Sequence, residues 1–222
     1  MSAGNVPPLT AAGDHPAAHG VGLDPATIDR RRVAIWDAVG GLVVFFAGSF
    51  LHFLYELSGF AIVAAPFGSV NESTWEHLKL FFWPGLAFAV VQHAYLRHRV
   101  NNFWIAKAAS LALVTAGVIV AFYAYVGIVL PIYGKGNLFG TLVTAAIAIA
   151  LAQFVSYRLL TGAPLSSRVR AIAIIAIVVM AAMFVVFTFA PPRIFLFENF
   201  FAYVYDGQFG ILEDYTPYLV FR

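Results

Sequence analysis

The chain has 222 residues, of which 61% are hydrophobic and only 11% are charged, with a net charge of +2. Soluble domains average about 25% charged residues, so this chain has too few to cover a water-soluble surface. With a mean hydropathy of +0.84, the composition predicts an integral membrane protein surrounded by a lipid bilayer. The low net charge argues against a nucleic-acid partner. The absence of cysteine excludes disulfides and thiolate metal sites.

Residues 1–23 are rich in Pro, Ala, Gly and His and have no hydrophobic periodicity, which predicts a flexible N-terminal arm. Asp24 before Pro25 predicts a capped helix that begins there and runs into the membrane. Residues 24–192 then predict a bundle of five transmembrane helices, each close to the ~20 residues that cross the hydrocarbon layer. The predicted spans are residues 33–57, 74–96, 104–130, 137–159 and 169–190. The expected fold class is an all-α integral membrane protein.

The basic residues predict the orientation of this bundle. Most arginines fall on one side of the predicted spans, namely Arg30, Arg31, Arg32, Arg97, Arg99, Arg158, Arg168 and Arg170. The opposite side carries Lys135, Arg193 and Arg222. Because basic residues in short loops stay in the cytoplasm, we expect the N-terminus inside and the C-terminus outside.

Residues 193–222 form an aromatic C-terminal segment that is interrupted by acidic residues, glycines and a proline. It is too interrupted to span the bilayer, and its amphipathic aromatic side chains suit the headgroup layer. We expect an interfacial segment on the outer face that acts as a lid over the bundle or as a docking surface.

The residues most suggestive of chemistry lie where the first two spans meet the outer face. His52 and Glu56 are four residues apart, so a continuous helix would place them on one face. Glu72 and Glu76 repeat that spacing, and His77 lies beside them. A short loop joins the two spans, so we expect both groups at one level. Two imidazoles and up to three carboxylates suit Zn²⁺, Mn²⁺ or Fe²⁺.

Some residues of this region also have a purely structural interpretation, which suits His52 and Glu56 least. Ser73 and Glu76 fit a helix capping box, in which the glutamate bonds back to the cap amide. Asn71 or Ser69 could be the cap instead, which would leave Glu76 free. Lys79 could pair with Glu76 or extend to the headgroups.

Other polar and aromatic residues have simpler expected roles. Three aromatic residues at the outer level are predicted to anchor the protein in the interface: Tyr55, Trp75 and Trp83. Asp37, within the first span, is predicted to pair with Arg30, Arg31 or Lys107.

The segment around these residues resembles a family of bacterial and archaeal integral membrane proteins of unknown function. Members of that family carry an H-F-x-Y-E-x-S-G segment followed by V-N-E-S-x-W-E-H-x-K-L and F-x-P. The matching positions here are His52, Phe53, Tyr55, Glu56, Ser58, Gly59, Val70, Asn71, Glu72, Ser73, Trp75, Glu76, His77, Lys79, Leu80, Phe82 and Pro84. The resemblance implies a membrane bundle, with the bacterial inner membrane as its expected location, and it implies no activity.

Two functions of different classes follow from the sequence. The first is a divalent-metal site at the outer interface, formed by His52, Glu56, Glu72, Glu76 and His77. Such a site could activate a water molecule, with Glu72 or Glu76 as the candidate general base. The second is a non-catalytic accessory subunit that contacts other membrane subunits through its arm and tail. A small transporter is the third hypothesis, disfavoured because no internal repeat is evident.

Overall fold

The computed structural model describes residues 22–220. Its helices are α1 (Arg30–Leu51), α2 (Leu54–Leu57), α3 (Thr74–Leu96), α4 (Phe103–Tyr133), α5 (Leu138–Leu160) and α6 (Ser167–Phe189). Two strands, β1 (Glu198–Phe201) and β2 (Val204–Phe209), follow α6. Short 3-10 turns lie at Pro25–Thr27 and Thr216–Tyr218. The predicted arm lies outside the described residues except for its last two positions.

Within residues 22–220, four helices are long and apolar enough to cross a membrane: α1, α4, α5 and α6. Helix α3 coincides with the second predicted span and has 23 residues, but its more polar composition keeps it out of this group. The mostly helical fold of a membrane protein is therefore confirmed. The count of five spans is not confirmed.

The long helices run in alternating directions through one bundle. Helix α4 packs against α3, α5 and α6, while α1 packs against α3 and α5. Helix α3 consequently lies between α1 and α4. One end of the bundle, the arginine end, holds the N-termini of α1, α4 and α6 and the C-termini of α3 and α5. The opposite end, the histidine end, holds the loop between α2 and α3 together with the C-terminal segment.

The first predicted helix differs from the observed one at both ends. Asp24 caps only a 3-10 turn, by accepting a hydrogen bond from the Ala26 amide. Helix α1 begins at Arg30 with Asp29 as its cap, so the prediction of a helix from Asp24 was wrong. The helix ends at Leu51, and α2 starts separately at Leu54. His52 and Glu56 are therefore not on one continuous helical face.

A close approach of α1 and α3 fixes their spacing near the histidine end. A Cβ atom added to Gly48 would lie 2.5 Å from the Leu80 carbonyl oxygen. Only glycine, which has no Cβ atom, lets the backbones of α1 and α3 approach so closely. Small residues have the same role at other contacts between membrane helices. Gly48 lies about one turn from His52, and Leu80 about one turn from His77. The contact therefore sets how far apart the two histidines lie.

The C-terminal segment contains a small antiparallel sheet, which the all-α prediction lacked. Phe200 pairs with Tyr205, and the pairing is shifted between Glu198 and Phe200. The connecting residues, Ala202 and Tyr203, have φ values of 50° and 67°. Such left-handed backbone conformations match the twist of a tight hairpin. The irregularity at Asn199 accompanies the burial of its side chain.

Two of the predicted interface anchors lie in the protein core instead. Trp75 is buried, and its ring contacts three phenylalanines: Phe184, Phe187 and Phe197. Tyr55 is also buried and contacts Phe60 and Tyr215. The C-terminal segment supplies part of both clusters, so these rings pack under protein rather than at the lipid surface.

Candidate metal site

Three potential metal ligands converge at the histidine end. His52 and His77 place their Nε2 atoms 3.2 Å apart. A carboxylate oxygen of Glu72 lies 3.7 Å from the His52 Nε2 atom and 3.5 Å from the His77 Nε2 atom. We call these residues the histidine triad. In a tetrahedral site with bonds of about 2.0–2.1 Å, ligand atoms are separated by about 3.3 Å. The observed triangle is close to one face of such a tetrahedron.

The imidazole of His77 is oriented by the backbone of its own helix. Its Nδ1 atom lies 2.8 Å from the carbonyl oxygen of Ser73, one turn earlier. A carbonyl can only accept, so Nδ1 carries the proton and donates it. The Nε2 atom of the neutral ring is then unprotonated, and its lone pair is directed at His52 and Glu72. In metal sites, a backbone carbonyl that accepts the proton of one ring nitrogen commonly orients the histidine in this way.

Glu72 is held by a network of buried backbone and amide groups. Asn71 is buried, and its side-chain oxygen accepts a hydrogen bond from the Ser73 amide at 2.7 Å. The same side chain donates to the carbonyl of Gly210 at 2.7 Å. The backbone amide of Glu72 donates to Asn199 at 2.8 Å. The residues before and after Glu72 are therefore fixed, and its carboxylate has a defined position beside the two histidines.

The C-terminal segment is built into this site. Asn199 and Gly210 contact the loop before α3, and the Trp75 amide donates to the Leu196 carbonyl at 2.9 Å. These contacts join residues more than one hundred positions apart. The segment therefore packs on the histidine end as part of the fold that positions Glu72.

Glu76 lies outside the triad, in a buried ion pair with Lys79. Its carboxylate also accepts a hydrogen bond from the Val70 amide at 3.1 Å. Ser73 is the cap of α3, and its hydroxyl accepts from the Glu76 amide. Only this half of the capping box forms, because the Ser73 amide is bonded to Asn71. Lys79 is completely buried and donates to the Ala65 carbonyl and the Thr188 hydroxyl.

Glu56 is directed to the C-terminal segment. Both of its carboxylate oxygens lie 3.1 Å from the backbone amide of Val220. The break between α1 and α2 separates it from His52, so the structure does not bring Glu56 into the triad. Of the five residues predicted as ligands, three meet: His52, Glu72 and His77.

Solvent can reach the triad. The side chains of His52, His77 and Glu72 are 27%, 31% and 20% exposed. Burial acts to raise the pKa of Glu72, but interaction with the two imidazoles lowers it by more, so this carboxyl is more acidic than usual. Burial raises the pKa of Tyr215, and nearby Glu72 and Glu56 raise it further. Tyr215 therefore keeps its proton beside the site.

Sequence reasoning missed the supporting residues from the C-terminal segment. Asn199 and Tyr215 lie over one hundred residues from the triad in sequence, and no spacing rule links them to it. The one available signal was Asn199 itself, an amide that precedes two phenylalanines in a strongly aromatic segment. Buried amides require hydrogen-bond partners, and here the partners are Glu72 and Asp206.

Comparison with known proteins gives the chain a family and no activity. No curated protein and no solved structure matches it. Residues 27–211 match the sequence profile of DUF6512, a family of unknown function. That range includes the histidine triad and Asn199, and it ends before Tyr215. The match covers well over half of the sequence, and the chain therefore belongs to the family of unknown function DUF6512.

Proposed function

We propose that the protein binds a divalent transition-metal ion through His52, Glu72 and His77. The spacing of the three ligand atoms, which all lie within 4.8 Å of one another, is the observation that carries this proposal. Two imidazoles and one carboxylate form a ligand set that Zn²⁺ uses in enzymes, and Mn²⁺ and Fe²⁺ also accept it. The unprotonated Nε2 atom of His77 favours cation binding.

Three protein ligands leave at least one coordination position for water. The partial exposure of the triad gives solvent access to that position. A bound metal lowers the pKa of its water ligand, so activation of water is the chemistry that this site supports. Glu76 is unsuited to act as the general base, because its carboxylate is paired with Lys79. Glu72 serves as a ligand in this arrangement.

The same triangle can also be satisfied without a metal. The proton on His52 Nε2 would then be donated to His77 Nε2 across the 3.2 Å separation. Metal analysis of the purified full-length chain separates the two interpretations. After chelation, we expect Zn²⁺ or Mn²⁺ at about one hundred times its Kd to stabilise the protein by about 2.7 kcal/mol in thermal unfolding.

Variants identify the ligands in that experiment. His52→Ala, His77→Ala and Glu72→Ala should each abolish stoichiometric metal content and the metal-dependent shift in Tm. His98→Ala is the matched control, because His98 is an exposed histidine beyond the opposite end of α3. If wild-type protein is not stabilised by Zn²⁺, Mn²⁺ or Fe²⁺, the triad is structural. An accessory subunit that contacts other membrane proteins through its arm and tail then becomes the better hypothesis.

We infer further that α3 spans the bilayer with the other four long helices, with the N-terminus in the cytoplasm. Helix α3 is as long as α5 and α6, and it lies between α1 and α4. The arginine end supports this orientation, since basic residues stay in the cytoplasm. The chain has no cysteine, so single-cysteine variants can be labelled cleanly. In intact cells an impermeant reagent should label Lys135→Cys and spare Arg99→Cys; labelling of both would contradict this topology.

Residues 193–220 form a fixed cover over the metal site in this proposal. The hydrogen bonds of Asn199 to the Glu72 amide and of Gly210 to Asn71 support that role. Removal of the chain after Pro192 should leave the helices inserted and abolish metal binding. Retention of wild-type metal affinity by the truncated chain would show that the segment does not position the ligands.

A further inference from the structure

A cleft opens at the arginine end, on the opposite side of the molecule from the histidine triad. Its volume is about 610 Å³. The walls come from the last turn of α3, the start of α4, the loop before α6 and the first turns of α6. None of the three residues of the histidine triad lines this cleft.

The charged side chains that line this cleft are all cationic or potentially cationic. They are Arg97, Arg170 and His93, and none of the acidic residues within the described range 22–220 lines the cleft. Within residues 22–220, neither arginine forms an ion pair. Two uncompensated guanidinium groups facing one cavity create a positive potential that attracts an anion. Arginine also presents paired N–H donors that match the oxygens of a phosphate group.

The floor of the cleft is held rigidly by two adjacent asparagines. Asn102 donates to the carbonyls of Leu159 and Ala163 and accepts from the Leu165 amide. Asn101 exchanges hydrogen bonds with the backbone of Leu23. Asn102 has a left-handed φ of 54°, a conformation that asparagine tolerates better than most residues. The loop before α6 is thereby fixed, which makes the cleft a formed site.

The start of α6 adds to the attraction for an anion. Ser166 caps this helix of 23 residues, and Ser166 and Ser167 both line the cleft. The first backbone N–H groups of a helix lack partners within the helix and carry its positive dipole end. The hydroxyl groups of the two serines are further donors to phosphate oxygens.

The remaining wall is apolar and continues onto the surface that faces lipid. Phe103 and Trp104 line it beside His93, whose ring lies 5.0 Å from that of Trp104. Ile174 lines it from α6, and its side chain is 41% exposed. Helix α6 is one of the four apolar helices. A ligand here can thus place an anionic group on the arginines and a hydrocarbon chain along α6.

We propose that this cleft binds the phosphate headgroup of an anionic phospholipid of the adjoining leaflet. Arg97 and Arg170 contact the phosphate oxygens, the start of α6 donates further hydrogen bonds, and an acyl chain lies along Ile174. Basic pockets between membrane helices recognise anionic headgroups by this combination of charge and apolar surface. A free phosphate ion would use the same donors and would leave the apolar wall uncovered.

The test compares two lipids on the full-length chain in detergent, using native mass spectrometry. Phosphatidylglycerol should be retained on the wild-type protein, and phosphatidylcholine should be retained about tenfold less, because its headgroup has no net charge. The double variant R97Q/R170Q should lose this preference. The matched control R99Q/R168Q removes the same charge from exposed arginines that do not line the cleft, and it should keep the preference.

Three results would overturn the proposal. Equal retention of the two lipids by wild-type protein would show that the cleft does not select anionic headgroups. Equal loss of preference in both double variants would assign it to the general charge of the arginine end. If inorganic phosphate stabilises the wild-type chain in thermal unfolding and displaces phosphatidylglycerol, the ligand is a soluble phosphate. Both double variants change exposed residues, and their Tm values without lipid verify that the fold is intact.

Discussion

Two polar clusters lie at opposite ends of the bundle and differ in how their charges are balanced. Near the arginine end, Lys107 donates to Asp37 at 2.9 Å and to Ser156 at 3.0 Å. Gln92 also donates to Asp37, and all four side chains are buried. At the histidine end, the triad is partly exposed and contains no lysine or arginine. One cluster thus carries its own cation, and the other does not.

This difference indicates which cluster has a structural role. Buried charges persist when they are paired, and the Asp37–Lys107 pair ties α1 to α4. The Glu76–Lys79 pair beside the triad has the same character. The triad instead offers three donors of electron pairs and leaves them open to solvent. In the proposal a cation from outside the protein completes that set, which is why a metal is proposed there and not at the lysine clusters.

Breaking the pair at the arginine end should have the largest effect on stability. Lys107→Met leaves the Asp37 carboxylate buried without its cation, which typically costs about 3–5 kcal/mol. Thermal or denaturant unfolding in detergent measures this loss, and the metal content should be unchanged. The double variant Asp37→Asn/Lys107→Met removes both charges and should recover most of the stability. A double variant no more stable than the single one would show that the charge pairing is not the cause.

A smaller loss is expected at the histidine end, where Glu76 and Glu72 should behave in opposite ways. Glu76→Gln leaves Lys79 without its anion but retains a hydrogen-bonding side chain, so we expect a loss of about 2 kcal/mol. Its metal content should stay at the wild-type level. Glu72→Gln should lose metal and keep most of the metal-free stability. If Glu76→Gln also empties the site, Glu76 is a ligand and the triad is incomplete without it.

The sequence predicted the helices of this bundle better than the detail of its site. Long apolar segments identified α3 to α6 within a few residues of their observed ends, because hydrophobic length is a local property. Local rules also found the Ser73 cap and two of the possible partners, Lys107 for Asp37 and Lys79 for Glu76. They failed at residues 52 and 53, where a break in the helix turned Glu56 away from His52.

The contribution of the C-terminal segment could not be predicted because it depends on contacts between distant residues. Asn199 reaches the Glu72 amide only through the bulge in the small sheet. Trp75 is buried because Phe197 and α6 cover it, although its residue type and its position at the outer level suggested an interface anchor. Which three of the five candidate ligands converge was therefore decided by tertiary packing together with the break between α1 and α2.

The smallest effect is expected at Glu56, the sequence-predicted ligand that the structure directs elsewhere. Its carboxylate accepts the Val220 amide in a partly exposed position, so Glu56→Gln should cost about 0.5–1 kcal/mol, because glutamine can still accept this bond. Metal affinity should change by about twofold or less, well below the effect of losing a ligand. After metal has been removed with a chelator, Glu56→Gln and His52→Ala are each titrated with Zn²⁺, and their metal affinities are compared. A loss of metal as complete as that in His52→Ala would place Glu56 in the coordination sphere, and the C-terminal residues would then have to move away from it when metal binds.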